Sequence, residues 1–395
     1  MLSDQQQRNY RFPWQTGNKF ELLVDGPAFF SAMLNSIQQA RHYILLEMYL
    51  IQPGCVSQRF FQALIQARQN NVDVYLLLDA YGSRSLKDKH KKLLSDNDIK
   101  FCFYNPIHIH NRHLMLFRDH RKLLLIDGHT AYVGGAGLMD EFDSIQQPQH
   151  NWRENMVKIQ GQNVLQWQSL FVSNWYRWST EKIDIKSPEF PSWHQQGRIA
   201  ITQGPNFLQI KRSFLNQVNN AKQRIWICTA YFVPSRKIRR ALRRAAETGI
   251  DIRILIPGEI TDHPMTRYMA QHYYSHLLRK GLRIYEYQQR FLHAKIVLCD
   301  NWVSLGSCNI DKWNLRWNLD ANQEIIDDAF TASVIDMFQN DFNNSIEIDL
   351  LHWKKRSLLQ KFKIWFWNLT IRIADTALLR LKLIRHWKKI RNRKK

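Results

Sequence analysis

The chain is written twice. Residues 34–53 (LNSIQQARHYILLEMYLIQP) lie over residues 215–234 (LNQVNNAKQRIWICTAYFVP) at one constant offset. In both copies a stretch with apolar residues three and four apart predicts an amphipathic helix, which gives way to a buried strand ending at proline. A second helix follows, 60–69 in one copy and 238–248 in the other, and then a second strand, 72–79 against 250–257. Farther along, each copy carries His, one residue, Lys, four residues, Asp, as His120, Lys122, Asp127 and as His293, Lys295, Asp300. Alternating strands and helices in duplicate predict an α/β protein of two pseudo-symmetric domains, each a mixed sheet flanked by helices, and if the halves pack as a pseudo-dimer the paired motifs supply one shared active site at their interface.

A chain of 395 residues has room for two such domains. The expected divisions are an N-terminal segment at 1–19, a first domain at 20–190, a second at 191–350, and a tail at 351–395 without a counterpart in the first copy. The seam falls in a polar stretch, 186–198, that contains Pro188 and Pro191.

Residues two apart on a strand point the same way, so His120 shares a face with Lys122, and His293 with Lys295. Imidazole and ammonium groups facing inward on apolar strands are costly to bury unless an anion neutralises them. Two imidazoles and two ammoniums converging on one site would suit a phosphodiester. Asp127 and Asp300 travel with the motif as catalytic candidates, and each also stands where a strand-closing turn favours Asp. After each strand comes a glycine step, Gly134-Gly135 and Gly306-Ser307, where the backbone can approach a ligand closely. Ser307 and Asn309 add donors for phosphate oxygens. Glu154 and Glu324 follow their respective histidines on strand-like runs, and a carboxylate on one ring nitrogen would fix the tautomer and free the other nitrogen to react.

These residues resemble the phospholipase D superfamily. The likeness covers about residues 20 to 345. Within the superfamily, HRKLLLIDGHTAYVGG, the WRE segment, HAKIVLCD and LGSCNID look most like bacterial cardiolipin synthases without transmembrane anchors. The resemblance implies phosphatidyl transfer between glycerophospholipids, with phosphatidylglycerol as donor and acceptor and glycerol released. One histidine, for which the resemblance favours His120, would form a phosphohistidine while the other protonates the leaving alcohol. Lys122, Lys295 and Asn309 would hold the non-bridging oxygens. No metal or organic cofactor is implied. Gly137 stands where the family often has Asn, so the first copy lacks that donor.

The formal charge of +22 is uneven, because residues 351–395 hold fifteen Lys and Arg against the single acid Asp375. Such a tail implies an anionic partner. In it Leu358, Phe362, Trp365, Phe366, Leu369 and Ile373 mark one helical face, with Ile364, Trp367 and Ile371 opposite. Two readings stand: a helix docked on protein, or an interfacial anchor with Lys388, Lys389, Arg391, Arg393, Lys394 and Lys395 on anionic lipid, the latter favoured. Five dispersed cysteines read as reduced thiols, no secretory leader or bilayer-spanning run is evident, and the expected place is the cytoplasmic face of a bacterial inner membrane, peripherally bound. His108, His110 and His113 invite a zinc reading, but no Cys or carboxylate accompanies them at ligand spacing, and a loop at the site mouth is preferred. His263, Arg267, Tyr273 and Tyr274 are further candidates for head-group contact. A phospholipase D that hydrolyses phospholipid to phosphatidic acid would show the same motifs. A nuclease of the superfamily is the weaker alternative, because a Trp- and Phe-rich tail does not suit nucleic acid.

Overall fold

The computed structural model describes residues 10–106, 117–185, 188–204, 207–311, 315 and 318–380, with side chains through residue 370. The histidines at 108, 110 and 113 and the cations from 388 onward lie outside the described residues.

Among the described residues, fifteen strands form one sheet in the order β15-β11-β10-β9-β12-β13-β14-β8-β1-β7-β6-β5-β2-β3-β4. In the first half these are β1 (Gln15–Val24), β2 (Tyr43–Met48), β3 (Asp73–Asp79), β4 (Lys100–Tyr104), β5 (Lys122–Ile126), β6 (Thr130–Gly134) and β7 (Asn155–Gly161). The second half repeats them as β8 (Gln195–Gln203), β9 (Arg224–Thr229), β10 (Asp251–Pro257), β11 (Arg283–Tyr287), β12 (Lys295–Cys299), β13 (Trp302–Gly306) and β14 (Leu319–Ile326), and adds the edge strand β15 (Ser345–Glu347). Counted outward from the central β1–β8 pair, both halves run antiparallel as far as β2 or β9 and parallel from there to β4 or β11, where β15 adds antiparallel to β11. The order on one side mirrors the other, as a duplicated chain requires. β1 begins inside the segment expected to precede the first domain.

The sheet curls enough for β13 to meet β6 and β7, and for β14 to meet β6. One apolar core fills the space between, taking Leu45, Leu123 and Trp167 from the first half and Ile296, Leu305 and Phe338 from the second. Two further cores lie under the outer helices of each half. β5 and β12 are buried along their whole length, so the lysine that opens each is carried inside by the leucine-, isoleucine- and valine-rich run behind it.

Candidate active site

Both histidines stand two residues ahead of a central strand, and each is tied by its backbone to the other half. The His120 N–H donates to the Leu319 carbonyl at 2.9 Å, and Leu319 N–H donates to Arg118 O at 2.9 Å. In mirror fashion, His293 N–H donates to Arg153 O at 2.8 Å, and Arg153 N–H to Phe291 O at 2.8 Å. Asp119 thus pairs in parallel with Leu319, and Leu292 with Arg153. The residue after each of those partners is an acid, Asp320 in one case and Glu154 in the other.

The acids cross between the halves. Glu154 Oε2 lies 2.6 Å from Nδ1 of His293, and Asp320 Oδ1 lies 2.9 Å from Nδ1 of His120. Both carboxylates are fully buried, whereas the rings keep 12% and 13% of their surface open. With Nδ1–H held by a carboxylate, the Nε2 lone pair is left for chemistry.

Glu154 therefore serves the histidine of the opposite half, not the one that precedes it. Glu324 meets neither ring. Its Oε2 accepts from Arg198 Nε at 2.7 Å, and that guanidinium lies 3.6 Å from the centre of the Tyr10 ring. The sequence does not single out Asp320. Its register does: β6 pairs Gly134 with Met156 and β13 pairs Gly306 with Asn322, so Glu154 and Asp320 are equivalent positions two residues earlier. In the sequence its one mark is an acid second in the strand-like run LDANQEII, which the structure buries from Leu319 to Ile325.

The glycine step explains why one acid is longer than the other. A Cβ on Gly135 would come within 2.2 Å of the Glu154 carboxylate, so only glycine leaves room for it. At the equivalent position Ser307 donates its hydroxyl to Asp320 Oδ1 at 2.6 Å. Glutamate with glycine and aspartate with serine fill the same space. The Ser307 hydroxyl is thereby committed to Asp320 and is not open to a phosphate. Gly134 lies where a Cβ would strike the backbone of Asn155 and Met156, which makes it a sheet-packing position.

Lys122 Nζ donates to the His120 carbonyl at 2.6 Å and lies 5.0 Å from the centre of the Tyr49 ring. Lys295 Nζ donates to the His293 carbonyl and sits 3.5 Å from Glu154 Oε2. The Asn309 Oδ1 accepts from Thr229 and from Tyr231 N–H, while its buried Nδ2 has no partner among the described residues. A buried amide aimed at nothing is a vacant donor, which suits a phosphoryl oxygen. Gly137, at the equivalent place, would press a Cβ to within 2.7 Å of Leu50 O, so no side chain fits there.

Asp127 and Asp300 lie at the far ends of β5 and β12 from the histidines. Each holds a left-handed backbone, φ 52° and 53°. The Asp127 carboxylate accepts the backbone N–H groups of Arg41, His42 and Tyr43, each at 2.8 Å, and Asp300 accepts those of Lys222, Gln223 and Arg224 at 2.7 to 3.0 Å. A carboxylate used in this way anchors the entry of β2 or β9 and touches no reacting atom. The catalytic expectation for these two is corrected to a structural one.

Burial dominates the electrostatics. It pushes the His120 imidazole below its ordinary value, Lys122 pushes further, and Asp320 pulls back. His293 falls well below, through burial and then the charge of Lys295. Burial and Lys295 bring Lys122 down to about 7, and burial also lowers Lys295. Burial raises Glu154 against the pull of Lys295. A site crowded with half-compensated cations is one prepared for an anion. Around His293, Phe142, Trp152 and Phe291 stand 5.4 to 5.7 Å away, ring centre to ring centre, and Tyr49 stands 4.9 Å from His120.

Beneath each histidine lies a buried ionic cluster that the motif does not announce. Arg121 pairs with Asp119 at 2.9 Å and with Glu47 at 2.9 Å, and Asn174 donates to both acids. Arg153 grips Asp341 through two bonds of 3.0 and 2.9 Å. These clusters fix the backbone at 119–121 and 153, from which His120 and His293 hang.

A family model described as cardiolipin synthase, PLD-like domain, matches residues 33–175 and 214–342. A Pseudomonas aeruginosa protein named cardiolipin synthase A is 33% identical over 349 residues, which is 86% of this chain and 70% of that one. A Listeria welshimeri protein named cardiolipin synthase is 30% identical over 355 residues, 88% of this chain and 73% of its own length. Among solved structures, a phosphatidylserine synthase from Haemophilus influenzae superposes with a TM-score of 0.71 at 14% identity, covering 96% of this chain and 98% of that one. The polyphosphate kinase of Porphyromonas gingivalis shares the fold at a TM-score of 0.57 and 12% identity over 91% of this chain and 53% of its own.

Proposed function

The chain belongs to the phospholipase D-like cardiolipin synthase family, and from that premise we propose how its residues carry out the family's reaction. It is a phosphatidyltransferase that joins two phosphatidylglycerol molecules into cardiolipin and releases glycerol. The observation that carries the mechanism is the crossed pair of histidine–carboxylate contacts, one acid from each half on the ring of the other.

Nε2 of one histidine attacks the phosphorus of the donor, forming a P–N bond as the P–O bond to glycerol breaks. The second histidine gives its proton to the departing glycerol oxygen. That ring, now neutral, takes the proton of the acceptor lipid's hydroxyl, whose oxygen displaces Nε2 from phosphorus. Lys122, Lys295 and the vacant Asn309 amide hold the non-bridging oxygens in both steps. The resemblance favours His120 as nucleophile; burial lowers both imidazoles, and each keeps its Nδ1–H on a buried carboxylate from the other half. Water competes for the intermediate at ~55 M, and the aromatic wall of Phe142, Trp152 and Phe291 favours a lipid alcohol over water.

Among the described residues no helix is long and apolar enough to cross a membrane. Five free thiols accord with a reducing compartment, and the reading is of a peripheral enzyme on the cytoplasmic face of a bacterial inner membrane, working on anionic phospholipid. Incubation of purified protein with labelled phosphatidylglycerol tests the function. Cardiolipin with one equivalent of glycerol is expected. Phosphatidic acid as sole product would make the enzyme a hydrolase, and no lipid turnover would overturn the assignment.

A further inference from the structure

The last described helix is half docked. Ile364 and Asn368 are buried, as is Trp353 in the short helix before it, whose ring lies 4.8 Å from Tyr274. Lys363 reaches over Tyr268 at 5.9 Å. As the chain ascends from 353 to 363, its neighbour on helix Pro264–Leu278 descends from 274 to 268. The chain therefore advances toward the beginning of Pro264–Leu278 as it enters the C-terminal helix. That end adjoins Asp262, which accepts the Tyr231 hydroxyl at 2.5 Å, and Tyr231 in turn donates its backbone N–H to Asn309. The chain thus approaches the element that leads into the site.

Its other face is bare. Leu358, Leu359, Phe362, Trp365, Phe366 and Leu369 are all exposed, Phe362 and Trp365 by 56% and 57%. At 100° per residue these six fall within an arc of about 120°, opposite Ile364 and Asn368. Lys361 and Lys363, both exposed, flank that arc, each about 40° beyond one of its ends. The sequence left docking and lipid anchoring as alternatives, yet the geometry satisfies both at once, with one face for each.

We propose that this face is a fixed membrane-contact surface, seating Phe362, Trp365 and Phe366 at headgroup depth in an anionic bilayer and aiming the active-site mouth at the lipid. Two observations select lipid over a second copy of the chain. The apolar arc is edged on both sides by lysines, which can lay their stems along it and reach phosphates. The sequence from residue 371 to 395 adds ten Lys and Arg against one acid, Asp375, so a second copy of the chain would set like charge against like charge. Because the surface is clamped to the body through Ile364 and Trp353, it sets orientation as well as attachment. The inference rests on phospholipid being the substrate.

The test compares the full chain with Phe362→Glu/Trp365→Glu/Phe366→Glu, which keeps every Lys and Arg. Each is measured for co-sedimentation with phosphatidylglycerol-containing vesicles at moderate salt, and for turnover of vesicular and of short-chain, monomerically dissolved phosphatidylglycerol. The expected result is at least a tenfold loss of vesicle binding and of kcat/KM on vesicles, with turnover of the dissolved lipid unchanged. Undiminished vesicle binding would overturn the surface, as would a wild-type dimer that the substitutions dissociate while leaving lipid binding intact. Absence of turnover on dissolved lipid by the wild type would instead overturn the proposed reaction and leave the binding result standing on its own.

Discussion

At the scale of single residues, the crossed acids separate roles that sequence position alone confuses. Glu154→Gln and Asp320→Asn keep shape but lose the charge that holds each ring, and each is expected to lower kcat by about 10³–10⁴-fold with little change in KM. Glu324→Gln, by contrast, strands the buried Arg198 and is expected to cost roughly 3–5 kcal/mol of stability while folded molecules turn over normally. Steady-state kinetics beside chemical denaturation separates the two classes, and a Glu324 variant slow in its folded state would contradict the assignment. The identity of the nucleophile is open to direct trapping, since a phosphatidyl ester of p-nitrophenol needs no proton on its leaving group. With that substrate His293→Asn should accumulate an adduct on His120, whereas an adduct found only on His293 of His120→Asn would reverse the roles. Lys122 shows the tension between stability and function. Its folded value is lowered to about 7, so the unfolded chain holds the proton more tightly above that pH. The cost of burying it is complete below about pH 7 and fades as pH rises toward the ordinary lysine value of ~10.4. Lys122→Met should therefore be inactive yet more stable near neutrality, by about 1–4 kcal/mol, with the advantage shrinking between pH 7 and 10 in denaturant melts.

At the scale of elements, Asp127 and Asp300 act as clamps on the entry of β2 and β9. Asp127→Ala would release three backbone donors and is expected to lower stability by about 2–3 kcal/mol with kcat preserved, which calorimetry and turnover together would show. Much of this level is legible in the chain beforehand. The duplicated helix and strand succession, the inward His and Lys, and the aspartate at a turn all follow from local periodicity. The crossed pairing does not, because it depends on the sheet curling until β14 reaches the start of β5, a contact between residues two hundred positions apart. Counting forward from each histidine leads to Glu324, since the connection from β13 to β14 is shorter than the one from β6 to β7. The register across the hairpins, unavailable to periodicity, moves the choice to Asp320. Ser307 looks like a free donor in the sequence for the same reason: its acceptor lies on the next strand.

At the scale of the whole molecule, the duplicated halves share one core and one sheet, and Trp167 of the first half donates its indole N–H to Gln323 of the second at 2.9 Å. Unfolding should accordingly be a single cooperative transition, and Trp167→Ala should shift it downward as a whole, by roughly 3–5 kcal/mol, without splitting it. Two resolved calorimetric peaks would show that the halves stand independently. The exchange of acids between halves also orders events during synthesis. His120 is synthesised two hundred residues before Asp320, and His293 is synthesised only after its own acid has been made. A nascent or truncated chain consequently carries at most an undirected imidazole, and lipid cleavage is withheld until the C-terminal half has closed over the N-terminal one.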